Sequence, residues 1–471
     1  MAVTYPTAAA RRGSRTESVM QDMRDRIASR SLAAGARLPS VRACAQMHGV
    51  SVSTVVDAYD RLVAEGVIEA RRGSGFYVSD RLVPLSLNDA GDRRSHVSDP
   101  VWVARQALES GEAMHKPGCG WLPADWMPDQ DIRRALRAMA RQPLAPLTAY
   151  GTPQGLPALR QLLCRRIGER GISAGPEQLL LTESGTQAVD LLCRYLLEPG
   201  DTVLVDDPCY FSFHAMLRAH RASVVSVPYT PNGPDLAAFE QCLSRHRPRL
   251  YITNSGLQNP TGAALSFEVA HRLLQLAQQH EMWIIEDDVL ADFEWRPAPR
   301  LAALDGLQRV IHTGSFSKTL SASVRCGYIA AGVKEVAGLV DLKLATAFES
   351  GHFSAEMLLQ LLRSGAYRRH MEGLRKRLAE AMTHTIRQLG ELGIVPWAEP
   401  RGGMFLWCRL PQGISASDLA RRALASGVML APGGSFSQAA DADSYLRFNV
   451  SQSLAPDIYS VLAREITAGG G

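Results

Sequence analysis

The sequence predicts a multidomain protein in which a small α+β domain precedes a larger α/β domain. The chain has 471 residues, which is too long for a single hydrophobic core. Over residues 16–79, helical patterns are followed by a hairpin pattern. Further along, apolar strand patterns alternate with helical segments, and this alternation is typical of a mostly parallel sheet.

The composition indicates a globular protein without a membrane partner. Hydrophobic residues make up 46% of the chain, the mean hydropathy is -0.08, and no apolar run is long enough to cross a bilayer. Residues 1–15 lack the apolar core of a secretion signal, so we expect a cytoplasmic protein. The 8 cysteines are scattered without a C-x-x-C pair, which predicts neither a disulfide framework nor a metal site.

The N-terminal domain has the element order of a winged helix-turn-helix. We expect residues 1–15 to be a disordered tail and residues 16–79 to fold. Val19, Met23 and Ile27 are spaced by four and give one face of a first helix. The later elements are a short helix at 41–47, a longer helix capped by Ser51, and a hairpin at 67–78. This order is that of winged DNA-binding domains.

The stretch Gly35–Val78, GARLPSVRACAQMHGVSVSTVVDAYDRLVAEGVIEARRGSGFYV, resembles the GntR-type winged helix of bacterial regulators. The resemblance implies that double-stranded operator DNA is a partner. Short hydroxyl side chains at the start of the recognition helix can contact phosphates or base edges, and a basic wing can enter the minor groove. The candidate DNA contacts are Arg42, Ser51, Ser53 and Thr54, with Arg71, Arg72 and Gly73 in the wing. Val52 stands where the family often has arginine, so we expect a different operator.

Residues 80–115 predict a flexible linker. They mix proline, aspartate, glycine, arginine and serine, and their apolar residues show no clear periodicity. The exception is one predicted helix at 101–108. The second domain is predicted to occupy residues 116–471.

Five apolar runs of the second domain each end in a polar signature. The signatures are Glu183–Ala188, Asp206–Tyr210, Gln258–Gly262, Glu286–Asp288 and Gly314–Lys318. In a mostly parallel sheet, ligands bind at the carboxyl ends of the strands, so a single site can gather all of these signatures.

The last signature predicts the cofactor. Lys318 lies between hydroxyl residues, and Arg325 follows seven positions later. A deprotonated lysine amine forms a Schiff base with an aldehyde, while hydroxyls and an arginine suit a phosphate. An aldehyde that carries a phosphate is pyridoxal 5'-phosphate. A lone lysine with these neighbours would more often be a solvated surface residue, and it is the other signatures that favour the cofactor.

Each of the other signatures supplies a group that this cofactor needs. The candidate phosphate ligands are Gly185, Thr186 and Gln187 at a helix start, with Ser315, Ser317 and Arg325. Tyr210 can stack on the pyridine ring, and Asn259 can donate to the ring hydroxyl. Asp287 can pair with the pyridine nitrogen and keep it protonated, which makes the ring an electron sink.

Residues 116–471 resemble the fold-type I aminotransferases of class I/II. The resemblance rests on the five signatures and on three further motifs, Tyr150–Arg160, Gly402–Phe405 and Tyr445–Asn449. It implies a large α/β subdomain at about 145–335 and a smaller C-terminal α+β subdomain at about 340–471. It also implies a homodimer in which Tyr150 reaches the phosphate across the interface. By the same resemblance, Arg447 clamps the carboxylate of an amino acid.

The two domains together resemble the MocR-like regulators, in which an aminotransferase-like domain senses ligands. This implies a transcriptional regulator that binds a small amine or amino acid through Lys318. Leu290 departs from the pattern, because many relatives carry a tyrosine at or next to this place, so we expect slow or no complete transamination. Two alternatives stay open, a genuine aminotransferase and a sensor of pyridoxal 5'-phosphate that controls vitamin B6 synthesis. The winged helix argues against the first alternative, and Arg447 argues mildly against the second.

Overall fold

The structure is a computed structural model with two compact units, Met1–Asp92 and Arg93–Gly471. It describes residues 15–28, 32, 36–71, 74–79, 100–111, 113–141 and 150–469. The predicted N-terminal tail up to residue 14, the wing residues Arg72 and Gly73, and residues 80–99 of the predicted linker lie outside the described residues.

Three helices and a two-stranded hairpin build the N-terminal unit. They are α1 (Arg15–Ala28), α2 (Val41–His48), α3 (Val52–Ala64), β1 (Ile68–Arg71) and β2 (Gly75–Val78). The hydroxyl of Ser40 accepts from the N–H of Ala43 and caps α2, while that of Ser51 accepts from Thr54 and caps α3. Gly49 ends α2 with a φ of 60°, a left-handed conformation that glycine adopts without strain.

The core of this unit forms where α3 packs against α1 and the hairpin. Tyr59 of α3 is fully buried, and its ring meets Phe76 edge-to-face at 4.9 Å. Its hydroxyl donates to the carbonyl of Pro39 at 3.0 Å, so the buried polar group is satisfied. Val19 and Met23 of α1 are buried in the same cluster, which fixes the orientation of the recognition helix.

An eight-stranded sheet forms the centre of the second unit. Its strands are β3 (Leu179–Thr182), β4 (Thr202–Asp207), β5 (Ser223–Thr230), β6 (Gly233–Pro234), β7 (Leu250–Thr253), β8 (Trp283–Asp287), β9 (Val310–Ser315) and β10 (Gly327–Ala330). They are ordered β3-β10-β9-β8-β7-β4-β5-β6. The pairs formed by β4, β5, β7, β8 and β9 are parallel, whereas β10 runs antiparallel to both β3 and β9.

The strands are continuous apolar runs because both faces of the sheet are covered. In β3, Leu179 and Leu181 belong to one buried cluster and Leu180 belongs to another. The helices of this unit are Pro100–Glu109, Asp129–Met139, Pro157–Gly168, Gly185–Leu196, Phe211–Ala219, Leu236–His246, Phe267–Gln279, Leu301–Asp305, Val333–Thr346, His352–Arg363, Ala366–Gly390, Ala416–Ala425 and Pro456–Gly469.

A smaller antiparallel sheet lies towards the C-terminus. Its strands are β11 (Val395–Pro396), β12 (Phe405–Arg409), β13 (Ala431–Pro432) and β14 (Tyr445–Asn449), in the order β11-β12-β14-β13. With its helices, this part has the α+β character that the sequence predicts, and the predicted fold class is confirmed. Within the described residues, no helix combines the length and apolar character needed to cross a membrane.

Candidate functional site

A cavity of about 240 Å³ opens at the carboxyl ends of the large sheet's central strands. Asp287 ends β8, Ser315 ends β9, and the helix that begins at Gly185 follows β3. Ten of the predicted residues line this cavity, namely Gly185, Thr186, Tyr210, Asn259, Asp287, Ser315, Ser317, Lys318, Arg325 and Arg447. The fold therefore brings most of the sequence signatures to one place.

Lys318 is half-buried and points at a backbone carbonyl. Its Nζ donates to the carbonyl oxygen of Gly120 at 2.6 Å. Burial, with a further contribution from the positive charge of Arg447, lowers the pKa of Lys318 to about 8. The neutral amine, which is the nucleophilic form, is therefore accessible close to neutral pH.

The helix that starts at Gly185 presents its N-terminus to the cavity. Gly185 and Thr186 line the cavity, and the first N–H groups of a helix have no partner within the helix. A Cβ at Gly185 would come within 2.9 Å of Val289 Cγ1, so a larger residue here would force Val289 to shift. Gln187 does not line the cavity. Its N–H is donated to the hydroxyl of the capping residue Ser184 at 3.0 Å, and its side-chain oxygen accepts from the N–H of Glu183 at 2.6 Å.

The hydroxyls beside Lys318 form a small network at the same end. The Oγ of Ser315 donates to the Oγ of Ser317 at 3.1 Å and accepts from the Ser317 N–H at 3.3 Å. Arg325 is exposed at the edge of the cavity. With the helix start, these groups form an end of the cavity rich in donors, which suits a phosphate.

Asp287 is a buried carboxyl group that forms no salt bridge within the described residues. The N–H of Val289 donates to its Oδ1 at 3.2 Å, and the Asn254 side chain donates to its backbone carbonyl at 3.0 Å. Burial raises the pKa of Asp287 to about 6. A protonated pyridine nitrogen placed beside this carboxylate would offset that cost of burial.

Arg447 is a guanidinium that is 2% exposed and lacks a carboxylate partner among the described residues. Its Nη2 donates to the carbonyl of Gly118 at 2.7 Å, and its Nη1 donates to Oδ1 of Asn259 at 3.1 Å. Its Nε has no partner in the described structure. Burial lowers its pKa to about 10. The group lies between two aromatic rings, 4.4 Å from the Phe405 centroid and 4.6 Å from that of Phe436.

The contact with Arg447 also orients Asn259. Because Oδ1 accepts from the guanidinium, the other end of the amide, Nδ2, is left to donate into the cavity. Tyr210 lines the cavity with its ring 4.8 Å from Phe211 and 5.5 Å from Phe213. Leu290 is buried and also lines the cavity, so this position places an apolar side chain in the site.

Tyr150 lies away from this cavity. It is 81% exposed, and its ring contacts that of Phe348, itself 58% exposed, at 5.2 Å. A large aromatic pair left this open is available to another protein surface.

Sequence reasoning missed several residues that shape the cavity. The carbonyls of Gly118 and Gly120 accept from Arg447 and Lys318, but a backbone acceptor has no signature in a sequence. Ala107 and Leu108 lie on the helix Pro100–Glu109, which agrees with the helix predicted at 101–108 in the linker. Sequence reasoning did not predict that this helix lines the cavity.

In the N-terminal unit, the described candidates for DNA contact lie on three elements: Arg42 on α2, the three hydroxyl residues at the start of α3, and Arg71 on β1. Arg42 and Ser53 are exposed. The hydroxyl of Ser51 caps α3 and lies 2.8 Å from that of Ser53 and 2.7 Å from that of Thr54, so in this structure these hydroxyls bind one another.

The wing carries an ion pair and a cation–π contact. Nε of Arg71 donates to the carboxylate of Glu69 at 2.8 Å, and the guanidinium lies 4.4 Å from the centroid of Tyr77. Sequence reasoning did not single out Arg37. Its backbone forms an isolated antiparallel β-bridge with Tyr77, and its guanidinium lies beside Gly75. It adds a second described cation to this surface.

Comparisons with known proteins agree with both units. The gntR family of bacterial regulatory proteins matches residues 15–78, and the class I and II aminotransferase family matches residues 124–463. The HTH-type transcriptional regulator YdcR of Escherichia coli (strain K12) is 29% identical over 92% of this chain and 94% of its own. The probable rhizopine catabolism regulatory protein MocR of Rhizobium meliloti is 29% identical over 88% of this chain and 85% of its own. The chain belongs to the MocR-like transcriptional regulators.

The second unit has the fold of solved aminotransferases. LysN, the α-aminoadipate aminotransferase of Thermus thermophilus, was solved with N-(5'-phosphopyridoxyl)-L-leucine. It superposes with a TM-score of 0.71 and 27% identity over 78% of this chain and 94% of its own. Family and fold make pyridoxal 5'-phosphate the cofactor of this MocR-like regulator.

The residues of the cavity fit this cofactor. The donors at the helix start suit its phosphate, the half-buried Lys318 amine suits its aldehyde, and the buried Asp287 suits its ring nitrogen. The unpartnered Nε of Arg447 belongs to none of these, so it is left for a second ligand.

Proposed function

We propose that this MocR-like regulator senses an amino acid, which Lys318 and Arg447 recognise together in its cofactor-binding cavity. The observation that carries the proposal is Arg447, a buried guanidinium with a free Nε and no carboxylate partner in the described part of the chain. A buried cation of this kind gains most from a carboxylate that it can bind through two donors. A sensor of the cofactor alone would not need this group.

When bound, pyridoxal 5'-phosphate supplies an aldehyde that captures amines and a ring that withdraws electrons. Two residues of this chain then act on the amino acid. Lys318 accepts a proton as the incoming amine takes its place, and Arg447 binds the carboxylate. Both side chains donate to carbonyls of the segment Gly118–Gly120. An amino acid therefore competes with that segment for Arg447, and this competition distinguishes the liganded state.

The segment Gly118–Gly120 is connected to the linker through one helix. Nζ of Lys116 donates to the carbonyls of Ala107 at 3.2 Å and Ser110 at 2.8 Å, at the C-terminal end of the helix Pro100–Glu109. That helix lies within the predicted linker, residues 80–115. A shift of the segment on effector binding would thus move the end of the linker.

The remaining assignments complete the proposal. Residues 16–79 bind the operator, and residues 116–471 form the effector domain. The exposed pair Tyr150 and Phe348 supports a homodimer in which Tyr150 reaches the phosphate across the interface. A regulator of bacterial operators acts in the cytoplasm, where its DNA lies.

The proposal is tested with Arg447→Ala. We expect this variant to keep its covalent cofactor, because Lys318 and the phosphate donors are unchanged, but to lose the effect of amino acids on DNA binding. Cofactor content is read from the visible absorbance of the imine before reduction, and the covalent link is read from the cofactor that stays on the chain after borohydride reduction, with Lys318→Ala as the variant that cannot be trapped. DNA binding is read from the fluorescence anisotropy of a labelled upstream fragment.

Arg409→Ala is the matched control, because Arg409 is an exposed arginine on β12, the strand that pairs with the strand of Arg447. It should respond to amino acids like the unmodified protein. An undiminished response in Arg447→Ala would show that the effector is not read through its carboxylate.

A second candidate is a complete aminotransferase, which the similarity to LysN favours. LysN was solved with an adduct of the cofactor and leucine, so a domain of this fold accommodates an amino acid at the cofactor. Leu290 argues against efficient turnover, because an apolar side chain replaces a hydrogen-bond donor in the cavity.

A further inference from the structure

The charged groups that line the cavity are few, and each already has a partner in the proposed function. Among the described lining residues, they are Lys318, Arg325, Asp287 and Arg447. Lys318 serves the aldehyde, Arg325 the phosphate, Asp287 the ring nitrogen and Arg447 the carboxylate of the amino acid. No lining cation is left for a second carboxylate, and no lining carboxylate is left for a second amine.

The surface around Arg447 is instead aromatic. Phe405 and Phe436 lie against the two sides of the guanidinium, at 4.4 and 4.6 Å. Phe211 continues this surface, with its ring centroid 6.1 Å from that of Phe436. A ligand whose carboxylate binds Arg447 therefore has aromatic rings beside the rest of its chain.

A second apolar wall comes from the helix Pro100–Glu109. Ala107 and Leu108 of this helix line the cavity, and the helix packs against the helix Phe211–Ala219, which contributes Phe213 and Met216 to the lining. Leu108 is 75% exposed although it lines a cavity. An apolar side chain left open at a ligand site gains stability when an apolar group of the ligand covers it.

We propose that the effector is a monoamino, monocarboxylic amino acid with an apolar side chain, and that Leu108, Phe211 and Met216 determine this specificity. The inference rests on the proposed function, since it assumes that Arg447 binds the carboxylate. An acidic or basic side chain of the ligand would lose its hydration against this apolar wall, and the wall offers no opposite charge to pair with it. A longer apolar side chain would cover more of Leu108 and Met216 and bind more tightly.

The test measures affinities by isothermal titration calorimetry of the cofactor-loaded, full-length protein. The ligands are alanine, norvaline, norleucine and leucine, with glutamate and lysine as charged members of the panel. We expect the affinity to rise about fourfold per added methylene from alanine to norleucine. Glutamate and lysine should bind at least about tenfold more weakly than norleucine, since charge burial costs more than apolar burial gains.

Variants of the apolar wall locate the specificity. Leu108→Ala should lower the affinity for norleucine several-fold and leave the affinity for alanine unchanged, because alanine is too short to reach this side chain. Leu108→Arg places a cation on the wall and should shift the preference towards glutamate. The exposed Leu304 lies on the helix Leu301–Asp305 and does not line the cavity, so Leu304→Ala is the matched control and should alter neither affinity.

The outcomes separate the inference from the function on which it rests. If glutamate or lysine binds the unmodified protein as tightly as norleucine, the apolar specificity is wrong while amino-acid sensing stands. Equal affinity for alanine and norleucine would overturn the role of the wall in the same way. If no member of the panel binds a protein that holds its cofactor, the proposed function itself fails.

Discussion

At the scale of single residues, the site depends on charges that are expensive to bury. Burial lowers the pKa of both Lys318 and Arg447. The positive charge of Arg447 lowers the pKa of Lys318 further, because it disfavours a second positive charge nearby. The carbonyls of Gly118 and Gly120 accept hydrogen bonds from these groups and offset part of this cost. In the proposed function, these hydrogen bonds hold the Lys318 amine in place for an aldehyde and the Arg447 guanidinium in place for a carboxylate.

The pKa of Lys318 predicts how covalent capture of the cofactor depends on pH. Only the neutral amine attacks an aldehyde, and the pKa of Lys318 is about 8. The attachment rate should therefore fall as the pH drops through 8 and level off above it, and stopped-flow absorbance of added cofactor measures this rate. In Arg447→Gln, the loss of a neighbouring positive charge should raise the pKa of Lys318 and move the midpoint upward. Arg409→Gln should leave the midpoint in place. A rate that keeps rising towards the ordinary lysine pKa of about 10.4 would contradict the assignment.

Leu290 predicts arrested catalysis. A tyrosine hydroxyl here would donate to the ring oxygen and assist proton transfer, and one such bond contributes about 0.5–1.5 kcal/mol. Leu290→Tyr should speed conversion of the cofactor to its pyridoxamine form by about 2- to 12-fold in single-turnover absorbance measurements. Leu290→Phe has the same ring without the hydroxyl and should give no gain. Rapid multiple turnovers by the unmodified protein would favour the aminotransferase alternative.

At the scale of elements, the strands and their signatures could be predicted because each is a local pattern. The apolar run of β8 and the acidic residues that end it are adjacent in the sequence, and so are the apolar run of β9 and the stretch with Lys318. Gln187 is the exception. Its place in the signature predicts a cavity residue, but Ser184 caps the helix and binds the N–H of Gln187 instead. Capping turned that residue away from the cavity.

The recognition helix α3 exposes two apolar side chains near its start. Val52 is 49% exposed and Val56 is 40% exposed on the face that also carries Ser53. Exposed methyl groups on a recognition helix can contact the methyl group of thymine in the major groove. We therefore expect the operator to carry a thymine opposite Val52.

The thymine contact can be tested on an operator selected from random DNA. Replacing the contacted thymine with uracil removes one methyl group and should weaken binding about fourfold. Val52→Ala should abolish this difference, whereas Val52→Thr, which keeps one methyl group, should retain part of it. Affinities come from fluorescence anisotropy at fixed salt. An equal ratio of thymine to uracil affinity in the unmodified protein and Val52→Ala would rule out the contact.

At the scale of the whole molecule, the sequence could predict the two units and the cofactor but not the walls of the effector cavity. Leu108 and Met216 approach the cavity from helices far apart in the chain, and nothing local in either helix indicates the other. The carbonyls of Gly118 and Gly120 are invisible in a sequence because every residue has one. The cavity walls and the backbone acceptors could therefore not be predicted, because both depend on tertiary packing alone.

The exposed aromatic pair predicts how assembly supports cofactor binding. Phe348 has a φ of 64°, a left-handed conformation that is strained for an aromatic residue but tolerated by asparagine. Phe348→Asn therefore removes the aromatic surface without adding backbone strain. We expect it to shift the protein towards monomer in sedimentation experiments and to lower its affinity for pyridoxal 5'-phosphate, because Tyr150 would no longer reach the phosphate across the interface. Phe267→Asn replaces an exposed phenylalanine at the start of the helix Phe267–Gln279 and should change neither property. Tyr150→Phe should keep the dimer yet lose cofactor affinity, since only the hydroxyl is removed. A monomeric Phe348→Asn variant with full cofactor affinity would show that each chain completes its own phosphate site.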